Sequence, residues 1–183
     1  SPMIKTAEYI KDNDPEMKTV FIGPCIAKKS EASAYKSVDY VLTFEELVSL
    51  MVGYGINLED MEEGKEMSDA SELGRSFPYS GGVSGAIKEY LGTKQETDLE
   101  EYQLTAAKGL RDCKDKLEKM KEGEAEFSLL EGMACEEGCV GGPGNLIKPM
   151  VAKKLVQNFA AEAEKKMPQP SPEQIKKAEE KTG

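Results

Sequence analysis

Four cysteines, Cys25, Cys113, Cys135 and Cys139, carry whatever thiol or soft-metal chemistry this chain performs. Cys135 and Cys139 stand four apart around Glu136-Glu137-Gly138, one helical turn or a tight loop, and Gly141-Gly142-Pro143-Gly144 follows at once. Glycines in such a run let the backbone approach a bulky object. The bland alternative is a pair of buried thiols at a helix end. The sequence contains no histidine, which excludes Ser-His-Asp and Cys-His catalysis and any His-ligated zinc, haem or Rieske centre within the chain. Four cysteines in 183 residues are too sparse for a disulfide-stapled secreted fold, so thiolate-bound metal is the working idea.

The elements that position these residues follow from periodicity. Met3, Ile4, Ala7 and Ile10 take helical spacing over 2–12, ended by Asn13-Asp14-Pro15. Thr19 to Ile22 reads as a short buried strand running into Gly23-Pro24-Cys25, the strand end where open α/β sheets bind ligands. After a charged stretch, Lys28 to Glu31, a second strand is predicted at Tyr40-Val41-Leu42, and Thr43 with Glu46 forms a capping box for a helix through Leu47, Leu50 and Met51. Phe77 to Gly82 is a glycine-rich turn before a helix using Val83, Ala86, Ile87 and Tyr90; it reads as a simple turn or as a helix start presenting N–H groups to an anion. Further on, a strand is predicted over Tyr102–Ala106, a charged helix over Leu110–Met120, a strand over Phe127–Leu130 that leads to the cysteines, and a helix from Leu146 to Lys166. Strand, cysteine loop and helix thus occur twice. Cys113, among lysines on the charged helix, is read as a half-buried small apolar residue.

Charge and length bound the rest. Twenty-four basic against 34 acidic residues leave a net charge of −10, unsuited to nucleic acid or anionic membranes. Between Glu59 and Glu72, seven acidic residues and one lysine form a solvated stretch or a partner face. No apolar run nears 18 residues and no signal segment is present, so a soluble, cytosolic protein is expected. One domain is expected over 1–166, and 167–183, rich in proline and charge, is read as a peripheral extension. The start on a helix without a methionine suggests a piece of a longer protein.

Two long motifs carry a resemblance. Pro24-Cys25-Ile26-Ala27-Lys28-Lys29-Ser30-Glu31 resembles the second signature of the iron-only, or [FeFe], hydrogenase large subunit, P-C-x-x-K-x-x-E. Glu131 to Gly142 resembles its third, E-x-M-A-C-x-x-G-C-x-x-G-G, and Ser80-Gly81-Gly82-Val83 is similar to the family's glycine turn between them. The likeness covers roughly residues 1 to 155. It implies an α/β, Fe-only hydrogenase-like fold, with a short parallel or mixed sheet, flanking helices and cysteine loops at strand ends.

What the resemblance implies further is the C-terminal part of the domain holding the H-cluster, a [4Fe-4S] cubane joined to a diiron unit with CO, cyanide and dithiolate ligands. Cys25 and Cys135 would ligate the cubane, and Cys139 would ligate it and bridge to the diiron unit. Lys28 would donate to a cyanide, Glu31 would hold Lys28, Met133 would pack beside the diiron ligands, and Gly141 and Gly142 would let the chain wrap the cofactor. The family's first signature, T-S-C-C-P or a variant, with the fourth cubane cysteine and the proton-relay cysteine, would lie upstream of Ser1, leaving the chain alone inactive and largely free of the H-cluster, which is expected in the intact parent. Gly23 stands where high-turnover members carry methionine, and Pro143 replaces a glycine, which makes the sequence more similar to sensory or divergent branches. The implied reaction of the parent is reversible oxidation of H2 to protons and electrons under anaerobic conditions, with ferredoxin or flanking iron–sulfur domains as electron partner and maturation proteins supplying the diiron unit. Two rivals are a hydrogen- or redox-sensing module and a non-catalytic scaffold of cytosolic iron–sulfur assembly; Lys28 and Met133 argue against the latter.

Overall fold

The computed structural model describes residues 1–62, 64, 70–93, 103–168 and 176. Residues 63 and 65–69 of the acidic stretch, Tyr102 and nearly all of the extension beyond 168 lie outside the described residues.

Two βαβ units make an α/β fold with short parallel sheets. In the first, β1 (Val20–Ile22) pairs in parallel with β2 (Tyr40–Leu42), Val20 opposite Tyr40 and Ile22 opposite Leu42. Helix α1 (Pro2–Asn13), opened by proline at its first turn, buries Met3, Ile4 and Ala7 with Val38, and Phe21, Ala32 and Val41 pack against them. The opposite face of this pair, Val20, Ile22 and Tyr40, is apolar and exposed. Asp39 fastens the unit: one oxygen accepts the Thr19 N–H, the Thr19 hydroxyl and Lys11 Nζ at 2.8, 3.0 and 2.8 Å. The Lys11 hydrogen bond and those from Thr19 hold its carboxyl well below the usual carboxylate range.

Between these strands runs α2 (Ala27–Ala34), where the sequence showed only a charged stretch. It presents no buried side chain, so hydrophobic periodicity carries no signal for it. Thr43 and Glu46 form the capping box of α3 (Phe44–Gly53), in both directions.

In the second unit β3 (Leu104–Lys108) pairs in parallel with β4 (Leu129–Met133), crossing through α6 (Leu110–Glu122). Both strands extend further toward their C-termini than alternation suggested, because Lys108 still pairs with Met133. Helix α5 (Gly82–Gly92) lies against both strands, and the short α4 (Glu72–Arg75) joins it to α7 (Pro149–Ala161). Arg75, 7% exposed, donates from Nη1 to the Phe159 carbonyl at 2.8 Å and stacks over the Phe159 ring. Helix α7 is shorter than the predicted 146–166. Pro149 starts it, and the segment before it is occupied by Asn145, whose side chain donates to the Val140 carbonyl at 2.7 Å.

Candidate metal centre

Cys25 follows β1 as anticipated. Gly23 N–H continues the ladder by donating to Leu42 O at 3.0 Å, and α2 starts two residues after the half-buried Cys25. A Cβ added at Gly23 would stand 2.9 Å from the ring of Phe21, so an aromatic ring fills the space that a side chain at 23 would take.

The second loop leaves β4 at Met133. Gly138, at φ +86°, turns it back with its N–H on Cys135 O, and Cys139 opens a 3-10 turn, Cys139–Gly141. The two thiols therefore sit around a tight loop, not on a helix. Lys153 Nζ pins this loop from α7 by pairing with Glu137 at 2.6 Å. The two cysteine loops are joined directly: Gly144 N–H donates to Pro24 O at 3.0 Å, and a Cβ on Gly142 would lie 2.4 Å from that same oxygen. Gly141 has only ordinary neighbours, the nearest 3.7 Å away.

Lys28, on the first turn of α2, pairs with Glu31 at 2.5 Å, both largely shielded. Burial alone would raise the Glu31 carboxyl; the hydrogen bond and charge of Lys28 act against it, and the carboxyl is held at about 2. Above these loops opens a cavity of about 910 Å³, walled by Phe21, Phe77, Leu130, Met133, Lys28 and Cys139 among others, with neither Cys25 nor Cys135 in its wall. Cys139 thus lines the cavity, which the other two thiols of the motifs do not. Burial, then the charge of Cys25, push its thiol up, opposed by Lys28; burial and Cys25 likewise raise Cys135. Three thiols from two loops feel one another's charge, and Cys113 is absent from that set.

All four cysteines are free. Among the described residues no three His, Cys, Asp or Glu side chains gather tightly enough to hold a single metal ion. An all-sulfur donor set drawn from two loops in direct contact suits iron–sulfur clusters. The residues present fit the cluster that the motifs imply.

Residues 1–143 match the family described as iron only hydrogenase large subunit, C-terminal domain. The chain belongs to that family. It is 26% identical over 183 residues to the periplasmic [Fe] hydrogenase large subunit of Nitratidesulfovibrio vulgaris, covering 81% of this chain and 44% of the relative. It is also 30% identical over 174 residues to cytosolic iron-sulfur assembly component 3 of Bos taurus, covering 73% and 37%. Among solved structures its fold is similar to that of an [FeFe]-hydrogenase variant from Chlamydomonas reinhardtii, with a TM-score of 0.64, 21% identity, and coverage of 98% of this chain and 63% of that one. The chain spans less than half the length of these curated relatives. Among the described residues no helix is long and apolar enough to cross a membrane.

Within this hydrogenase-family domain Cys113 lies on α6, its thiol donating to the Met133 carbonyl at 3.6 Å. Glu131 opens the third motif, where its residue type alone assigns it no role. It is 7% exposed, and both of its carboxylate oxygens are engaged. A carboxylate directly after the apolar run of the predicted strand Phe127–Leu130 was the available signal, because a charge that the continuing strand buries requires partners.

Proposed function

We propose that Cys25, Cys135 and Cys139 ligate a [4Fe-4S] cluster and that Cys139 also holds the diiron unit of an H-cluster, in a protein that interconverts H2 with protons and electrons. The observation that carries this reading is the place of Cys139: it shares the apolar cavity with Lys28 and Met133, and its loop is tied directly to the Cys25 loop through Gly144 and Pro24. When bound, the cofactor supplies the hydrogen chemistry and the electron storage. Lys28 contributes a cationic donor for an anionic ligand, and Glu31, ionised across the ordinary pH range, keeps that ammonium oriented. Phe21, Phe77, Leu130 and Met133 give the cavity an apolar wall. Gly142 serves the site by bringing the Cys139 loop down onto Pro24, next to Cys25. We assign the domain to residues 1–166 and an extension to 167–183, and we take the electron partner to be a ferredoxin-type carrier, the diiron unit to come from maturation proteins, and the compartment to be the cytosol.

The similarity to cytosolic iron-sulfur assembly component 3 favours a second reading, a cluster-bearing scaffold without hydrogen chemistry. Lys28 and Met133 in the wall of a cavity apart from Cys25 and Cys135 weigh toward the first. The test is the full reading frame expressed anaerobically together with diiron-maturation proteins, followed by electron paramagnetic resonance and infrared spectroscopy. A reduced-cubane signal with CO and cyanide bands supports hydrogen chemistry. A cubane signal without those bands supports the scaffold, and absence of both signals overturns both readings.

A further inference from the structure

The turn before α5, a candidate anion site by sequence, is already occupied by this chain. Glu131 Oε1 accepts the Gly81 N–H at 2.9 Å and Oε2 accepts the Ser84 N–H at 2.7 Å. These are the cap residue and third residue of α5, two of the donors that a helix start leaves unpaired, here satisfied by a residue of β4. The preceding residues of the same turn grip the cysteine loop. Pro78 O accepts the Val140 N–H at 3.0 Å, and Ser80 N–H donates to Glu137 O at 3.1 Å. Gly138 lies so close that an added Cβ would stand 2.6 Å from Ser80 N. Residues 137–140, with Cys139 among them, therefore rest on residues 78–80, and Glu131 anchors the far end of that support to the strand from which the loop departs.

From this geometry we infer that Glu131 is a positioning residue: by holding the 78–84 turn it sets the place of the Cys135–Cys139 loop before any metal arrives. The inference rests on reading these cysteines as cluster ligands, but its test is run on metal-free protein and stands or falls separately. Two N–H groups meet two different oxygens, so the site requires a carboxylate. Glu131→Gln keeps the size and turns an amide NH2 against one of the donors. Glu131→Asp keeps the charge but is one methylene too short to reach both.

The experiment is timed alkylation of the folded, metal-free protein with iodoacetamide, each cysteine being followed by mass spectrometry. In Glu131→Gln the rates at Cys135 and Cys139 should rise about ten-fold, with a smaller rise in Glu131→Asp. Cys25, held from the Leu42 and Gly144 side, and Cys113, which bonds the carbonyl of Met133 on the same strand as Glu131, should stay within two-fold of the parent. Equal acceleration of all four cysteines would reduce Glu131 to a general stabilising residue and overturn the inference, as would unchanged rates at Cys135 and Cys139. Should Glu131→Gln precipitate, Glu131→Asp is judged by the same site selectivity. Iron retention by the full-length protein after anaerobic reconstitution with iron and sulfide gives a second readout; failure of the unmutated full-length protein to take up iron would count against the cluster reading and leave the alkylation result valid.

Discussion

Replacing Gly142 by alanine puts a methyl carbon 2.4 Å from Pro24 O, 2.8 Å from Pro24 C and 2.9 Å from Cys139 O. Carbon–oxygen contacts ordinarily sit at about 3.3 Å or beyond, so the two cysteine loops would have to part by about 0.9 Å. All three obstructing atoms are backbone, and none can swing away as a side-chain tip would. Overpacking of this kind costs about 1–3 kcal/mol, and the Gly144 N–H to Pro24 O bond stretched in the process contributes about 1 kcal/mol more. The expected loss is therefore about 2–4 kcal/mol, against less than about 0.5 kcal/mol for Gly141→Ala, whose added Cβ meets nothing nearer than 3.7 Å. Urea unfolding of the metal-free protein measures both. At a slope of about 2 kcal/mol per molar, the midpoint should fall by about 1–2 M for Gly142→Ala and hardly move for Gly141→Ala. Equal effects of the two substitutions, or a neutral Gly142→Ala, would refute the claim that the Cys139 loop rests on the Pro24 carbonyl.

Three more expectations follow from the same contacts. Thr43→Ala removes the side-chain half of the α3 capping box and should cost about 1 kcal/mol, read as a lowered thermal midpoint. Glu31 and Glu46 are held at about 2 against an ordinary 4.5, so the folded protein binds fewer protons than the unfolded chain between those values. Stability should be flat from pH 7 to about 5 and fall as pH drops from 4.5 toward 2, and the fall should be shallower in Lys28→Ala, which removes a partner of Glu31; thermal melts across pH check both. In the full-length protein, Lys28→Ala should leave the cubane resonance intact and weaken the infrared bands of CO and cyanide, since it strips a cationic donor from the cavity and leaves the thiols in place.

Much of the scaffold was legible because its signals are local. The capping box at Thr43 and Glu46 appears in both directions, and the apolar spacing of Met3, Ile4 and Ala7 marks the face of α1 that is buried. Helix α2 escaped notice because it buries nothing; what holds its sequence in place is an ion pair one turn apart and its contact with β2. The apolar pattern of α7 runs back through Leu146 and Ile147, whereas the chain there is committed to the turn in which Asn145 bonds Val140 O, so the helix is shorter than its pattern. The cysteine motifs were visible as residue types. The meeting of their loops was not, since it depends on a carbonyl at 24 and glycines at 142 and 144, and nothing in local composition distinguishes a glycine that makes room for backbone from one that makes room for a ligand.

The Pro24–Gly144 tie also has a consequence in time. The bonded groups stand 120 residues apart, and chains are synthesised at about 5–20 residues per second, so the Cys25 loop waits for about 6–24 s before the residue that closes over its carbonyl has even been made. Throughout that interval Cys25 is tethered only to its own βαβ unit. A pair of loops joined this way cannot be assembled piecemeal on the ribosome: nascent chains that stall before Gly144 expose Cys25 without the bond that ties its loop to the second one.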